Sequence, residues 1–310
     1  MIRNHLPQKP GAMETARRLG ALFLLVSALI GLLAASVGSD VQGGGQPLSV
    51  SLPAGPQAFF AFPLLEKQNS RYAVSMENRD DDILAALHAG TPDAALIPAE
   101  RLPGIDKDTY AAAAVTSFGN LVAIQNGGTA KSVYDLNGRS AIMPCSLQDA
   151  VERKMLAELC AKTNVALEIT FENDDSIANR AKTGGFDIML LPAGQCAPVL
   201  LQHESYRACF DTAGQWMALL GTIPPAGDVL VIRADSKNQA ATAKLLADIR
   251  TGIEYANAKH KKASQLISAL GLGNDPVYVL KTLPHCAFAY LDGAGMNDSI
   301  RQLLALTANP

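Results

Sequence analysis

The residues of this chain that could do covalent chemistry are few and poorly spaced for it. Cys145 begins a predicted helix, where the positive helix end favours a thiolate, but the sequence supplies no base for it. His203-Glu204 lacks the second histidine of a zinc-protease helix, and His285-Cys286 has no second pair at metal-ligand spacing. The runs Asp80-Asp81-Asp82 and Asp174-Asp175 lack the alternating oxygens and closing Glu of a calcium loop and fit helix starts instead. His88 falls in the last turn of a predicted helix, a favourable place for a cation. No Gly-x-Ser-x-Gly elbow and no phosphate-binding loop occurs. The expectation is no catalytic group, no metal and no cofactor. What remains is binding.

The elements that would position a binding site are written twice. Tyr72–Asn78, an Asp run, Ile83–Gly90 and Asp93–Ala99 form one copy. Ala166–Asn173, Asp174-Asp175, Ile177–Gly185 and Asp187–Ala193 form the other. Each reads as strand, acidic helix cap, helix, Gly stop, Asp, strand and Pro-Ala. Leu48–Gly55 and Arg139–Ser146 match ahead of them, each a strand running into a Pro. One βαβ plan used twice predicts an α/β protein of two similar lobes, with something clamped between them.

Bulk composition narrows the contents of that clamp. The chain has 310 residues, 48% of them hydrophobic, which is enough for two cores. A net charge of −3, 5% aromatic residues and a single Trp216 give no reason to expect nucleic acid as a partner. Arg17-Arg18 precede an apolar run, Leu19–Ala35, then small residues and Gly43-Gly44-Gly45. This reads as an export signal over 1–38, cleaved before Val37 or after Gly38, with a flexible lead over 39–46; a retained anchor is the alternative. Five cysteines outside the cytoplasm allow two disulfides, Cys160 or Cys196 with Cys209 among them, or free thiols. Cys145 and Cys160 stand about 20 Å apart along one predicted helix and cannot pair.

Strands are predicted at 48–52, 72–76, 94–97, 110–116, 121–125, 140–143, 206–210 and 229–233, besides the second repeat. Helices are predicted at 57–68, 83–89, 147–162, 195–202, 238–259, 262–270 and 299–306. The last helices have no counterpart in the middle of the chain, so they return to the first lobe. That places lobe 1 at 47–120 and 229–310, lobe 2 at 121–228, and a two-strand hinge between them.

The order of motifs resembles the solute-binding proteins of ABC transporters, in the nitrate/sulfonate/taurine-type branch of the type II periplasmic-binding-protein fold. The resemblance is carried by the Leu84–Gly90 helix before Asp93-Ala94-Ala95-Leu96, by Ser132-Val133-Tyr134-Asp135-Leu136-Asn137-Gly138-Arg139 before a strand, and by Gly184-Gly185-Phe186-Asp187 before Ile188–Pro192. It implies a periplasmic monomer that captures a small solute by lobe closure, delivers it to an ABC permease and performs no chemistry. Ligands of such sheets sit beyond the strand C-termini, near helix N-termini. The residues expected there are Ala54, Gly55 and Pro56; Pro98; Ser117, Phe118 and Asn120; Cys145, Ser146 and Gln148; and Pro192, Ala193 and Gln195. Trp216 is added as an apolar wall. None of these loops carries Arg or Lys, which disfavours an amino acid needing a carboxylate fork. An oxyanion or sulfonate held by backbone N–H groups, or a neutral polar or heterocyclic solute, remains. The alternatives are an enzyme on the same fold acting on a small heterocyclic compound, and a ligand-sensing domain without a permease.

Overall fold

The repeated plan is realised as two sheets. The computed structural model describes residues 46–308 except 69 and 236–238, so the expected export signal and most of the lead lie outside the described residues. The first sheet holds β1 (Leu48–Pro53), β2 (Tyr72–Glu77), β3 (Ala94–Pro98), β4 (Tyr110–Phe118), β10 (Ala226–Arg233) and β11 (Phe288–Leu291), in the order β11-β4-β10-β3-β1-β2. The second holds β5 (Val122–Asn126), β6 (Arg139–Pro144), β7 (Leu167–Glu172), β8 (Ile188–Leu191) and β9 (Tyr206–Asp211), in the order β7-β6-β8-β5-β9.

The correspondence is residue-deep. Leu48 pairs with Tyr72 in parallel as Arg139 pairs with Leu167, and Val50 pairs with Ala94 as Ala141 pairs with Ile188. In each sheet the next strand is antiparallel and comes from a chain crossing: β10 beside β3, β5 beside β8. The central strands β3 and β8 are almost wholly buried, as strands covered on both faces must be.

The recurrent Asp before the third strand staples it to the first. Asp93 Oδ2 accepts from the Ser49 N–H at 2.8 Å and its hydroxyl at 2.7 Å. Asp187 pairs with Arg139 at 3.1 Å in the other lobe. The Asp-Leu-Asn-Gly turn is equally structural. Asp135 accepts from the N–H groups of Lys131 and Ser132, and Gly138 takes φ +73° ahead of β6.

Several expected elements differ from those found. The expected helix at 57–68 is a 3-10 turn, Pro56–Ala61, followed by four α-helical residues, Phe62–Leu65. Pro56 and Pro63 each remove an N–H, so a regular helix cannot propagate there. The Asp80–His88 helix has its acidic first turn but no side-chain cap, whereas Asn173 caps Asp174–Thr183 by accepting from the Ser176 N–H at 2.8 Å. Cys145 does not open a helix: Cys145–Leu147 is a 3-10 turn, Ala150 is extended, and the helix is Val151–Thr163. The helices Thr212–Leu220 and Pro276–Thr282 and the edge strand β11 are further elements that local sequence patterns do not signal. All five cysteines are free.

Helices Gln239–Ala258 and His260–Ala269 cover one face of the first sheet, packing Leu245, Ile249 and Ile253 against Phe59, Phe60 and Leu64. Helix Gly293–Ala308 lies on the other side, touching both the first sheet and Val151–Thr163. Through it one apolar cluster runs from Ile97 and Val229 to Met143, Met155 and Leu303. The lobes are therefore joined along their crossing side by apolar packing as well as by covalent strands. No helix among the described residues is long and apolar enough to cross a membrane.

Candidate functional site

A cleft of about 380 Å³ opens between the lobes, within the size range of small-molecule sites. Pro56, Gln57, Pro98 and Glu100 line it from the first sheet's loops, with His285 and Cys286 from the turn before β11. Ser146, Leu147, Glu152, Pro192, Ala193 and Gly194 line it from the second. Its floor is the hinge: Ser117, Phe118 and Asn120 on one crossing, Ala226, Gly227 and Asp228 on the other.

Eight of the expected residues thus stand on the cleft wall: Pro56, Pro98, Ser117, Phe118, Asn120, Ser146, Pro192 and Ala193. Six stand away from it. Ala54 and Gly55 turn behind Pro56, with the Ala54 N–H donating to Glu77. Cys145 is exposed and lies against a separate surface depression with Phe171, Asn173 and Arg180. Gln148 faces solvent, its carbonyl accepting from Arg153. Gln195 reaches across to Asp174 at 3.4 Å. Trp216 is packed in the core, its indole N–H donating to the Thr222 hydroxyl at 2.9 Å, because the unforeseen helix Thr212–Leu220 turns it inward.

Two of the polar residues on the floor are already engaged. The Asn120 amide donates to the His285 carbonyl at 2.9 Å and accepts from the Ala213 N–H at 3.1 Å, so it ties the first sheet's last turn to the helix after β9. The Ser117 hydroxyl donates to Asp228 Oδ2 at 2.6 Å and accepts the Asp228 N–H at 3.1 Å. Gly227 makes that pairing feasible. A Cβ there would stand 2.6 Å from the Phe118 carbonyl carbon, so only glycine lets β10 approach β4 closely at the register shift that sets Asp228 opposite Ser117.

The charged groups of the cleft wall are Glu100, Glu152 and Asp228, with no Lys or Arg among the described lining residues. Desolvation, reinforced by Glu152 and Asp80, pushes the Asp228 carboxyl up to about 7 against the opposing Ser117 hydrogen bond. Burial likewise raises Glu152, with Glu100 adding to it. Asp80 is raised by desolvation, partly offset by Arg101. Desolvation lowers His285, with Asp211 opposing, so the imidazole is neutral at pH 7. Sequence reading missed all three wall carboxylates. It began the second crossing at Val229, one residue past Asp228, and ended the Pro144 loop at Gln148, short of Glu152. The Gly227-Asp228 pair ahead of a strand was the available signal.

Two sheets of matching strand order, each fed by the chain crossing from the other, with a cleft at the crossings, define a known architecture. The chain has the fold of the periplasmic solute-binding proteins. It is similar to an ABC transporter protein from Parabacteroides distasonis, at 15% identity over 85% of this chain and 92% of that one, with a TM-score of 0.68. The periplasmic aliphatic sulphonate-binding protein SsuA from Escherichia coli is also similar, at 15% identity over 85% and 87%, TM-score 0.60. A ligand-binding component of an ABC-type import system from Staphylococcus aureus, with zinc bound, aligns at 12% identity over 85% and 91%, TM-score 0.55. No protein-family model matches the chain, and no curated protein matches it significantly in sequence. At these identities the likeness is one of fold. Among the described residues no group of three or more His, Cys, Asp or Glu is arranged to hold a metal.

Proposed function

We propose that the chain is an extracytoplasmic receptor that captures a small solute between its lobes and delivers it to an ABC permease, without chemical change to the solute. The observation that carries this reading is the cleft itself. It is walled by corresponding loops of the two repeats, Pro56 and Pro98 against Ser146 and Pro192, and floored by both chain crossings. Closure then uses binding energy to select one arrangement of the lobes. The named functions of proteins with this fold, import and sulphonate binding, support the same reading. The reading includes a cleaved export signal over 1–38, a periplasmic monomer, and lobes at 47–120 with 229–310 and at 121–228. The last is supported by β1–β4 with β10 and β11 sharing one sheet and β5–β9 the other.

Thermal-shift screening of the secreted protein tests it. A solute at a hundred times its Kd stabilises by about 2.7 kcal/mol. Recovery of that solute unaltered supports a receptor; absence of any stabilising solute together with turnover of some compound overturns it. One observation favours an enzyme on this fold as a second reading. Burial pushes the carboxyl of Asp228, beside Ser117 in the cleft, up to about 7, the range in which a general base is most useful. Chromatography of the solute before and after incubation separates the two.

A further inference from the structure

Three carboxyl groups line the cleft, and no cationic side chain stands among the described lining residues. Glu152 is half-buried and lines the cleft; its carboxyl is supported by its own backbone N–H at the helix start, and it makes no ion pair with a described side chain. Asp228 holds one bond, from Ser117 to Oδ2, and is otherwise turned to the cleft. Glu100 adds a third carboxylate to the same wall. Isolated carboxylates in such a place are costly. A protein built to fold as tightly as it can would have neutralised them with the Lys or Arg that this wall lacks.

Helix-end electrostatics agree. A helix N-terminus beside the cleft would ordinarily attract an anion. At Val151–Thr163 that positive end is already opposed by Glu152, the second residue of the helix, and at Asp80–His88 by three aspartates. Helix Ala193–Leu200 opens at the cleft without a carboxylate, and its N–H groups suit an uncharged acceptor on the solute.

We propose that the solute is a small organic cation, a protonated amine or an amidinium, seated with its N–H groups on Glu152 and Asp228 and its apolar part against Phe118 and Leu147. This rests on the receptor reading and specifies its ligand class. Nitrate, sulfate and alkanesulfonates are disfavoured by the same carboxyl groups.

Proton linkage follows from the arrangement. Facing Asp228 are Glu152, Asp80 and Cys286, while His285 is neutral. Without a solute, burial and the neighbouring carboxyls favour the protonated form of Asp228. A bound cation stabilises the carboxylate, so protons are released and affinity rises with pH from about 5 to 8.

The test is calorimetry and melting of the full chain against ethanolamine, putrescine and benzamidine, set beside nitrate, sulfate and ethanesulfonate. Expected are stabilisation by at least one cation and by none of the anions, a buffer-dependent heat showing proton release, and a loss of about tenfold or more in cation affinity in Glu152→Gln. Glu152→Gln is checked for folding by circular dichroism; if it does not fold, the buffer-dependent heat of the unsubstituted protein decides. Failure of all three cations overturns the ligand class, as does cation binding without proton release. An anion binding instead overturns the class and leaves the receptor reading standing. Failure of both panels with turnover of some compound removes both.

Discussion

Ser117 and Asp228 face each other across the two strands that join the lobes, hydroxyl to carboxylate at 2.6 Å and backbone N–H to hydroxyl at 3.1 Å. The pair fixes a carboxylate at the floor of the cleft, at the point where both crossings meet. Burial, Glu152 and Asp80 make that carboxylate hard to ionise; Ser117 is what the fold offers against them.

A stability penalty follows. The folded-state value of about 7 lies above the ordinary 3.8. The associated stability is therefore complete below about pH 4 and lost as the pH rises through 7. Asp228→Asn removes the titration. It should stabilise the solute-free protein at pH 8 by about 2 kcal/mol, a full three-unit shift being discounted for water in the cleft. Urea denaturation at pH 5 and pH 8 measures this, and the gain should shrink at the lower pH. The same substitution should weaken solute binding, a trade of stability against function.

Asn120 is a structural tie although it lines the cleft. Asn120→Ala leaves the His285 carbonyl and the Ala213 N–H unpaired at a buried position. The expected loss is about 2–3 kcal/mol, seen as a fall in Tm of about 5–10 °C. A variant with normal stability and weakened binding would reassign Asn120 to the ligand.

Tyr278 spans the lobes. Its hydroxyl, on helix Pro276–Thr282, donates to the Gly194 carbonyl at 2.9 Å on helix Ala193–Leu200. Tyr278→Phe removes about 1 kcal/mol from the arrangement in which helices Pro276–Thr282 and Ala193–Leu200 touch, and if solute binding favours that arrangement, apparent affinity falls about fivefold. Small-angle scattering should show a larger radius of gyration without solute, with thermal stability little changed.

The thiols should fall into separate classes. Cys145 is exposed, Cys160 and Cys209 are half-buried, and Cys196 and Cys286 are buried with their thiols pushed up by desolvation. A disulfide exchange reagent should titrate one thiol quickly, two slowly, and two only after denaturation. A count below five in the denatured, unreduced protein would reveal a disulfide.

The repeat was legible because it is local. The runs Asp93–Pro98 and Asp187–Pro192 carry strand propensity, a strand-start Asp and a stopping Pro within a few residues; the partners of those Asp residues, Ser49 and Arg139, appear only in the fold. Local signals failed where proline interrupted hydrogen bonding, at 56–65, and where a helix of mixed composition, Thr212–Leu220, gave no clear period. That helix packs Trp216 into the core, away from the cleft wall.

The amino-acid sequence by itself determined an α/β chain of two similar lobes, since propensity, caps and hydrophobic runs act over a few residues; the order of the strands came only with the tertiary structure. Only the tertiary structure decided the character of the cleft. Glu100, Glu152 and Asp228 come from three distant segments, and their charges matter through mutual proximity and the exclusion of water. Neither quantity is written in any one stretch of chain.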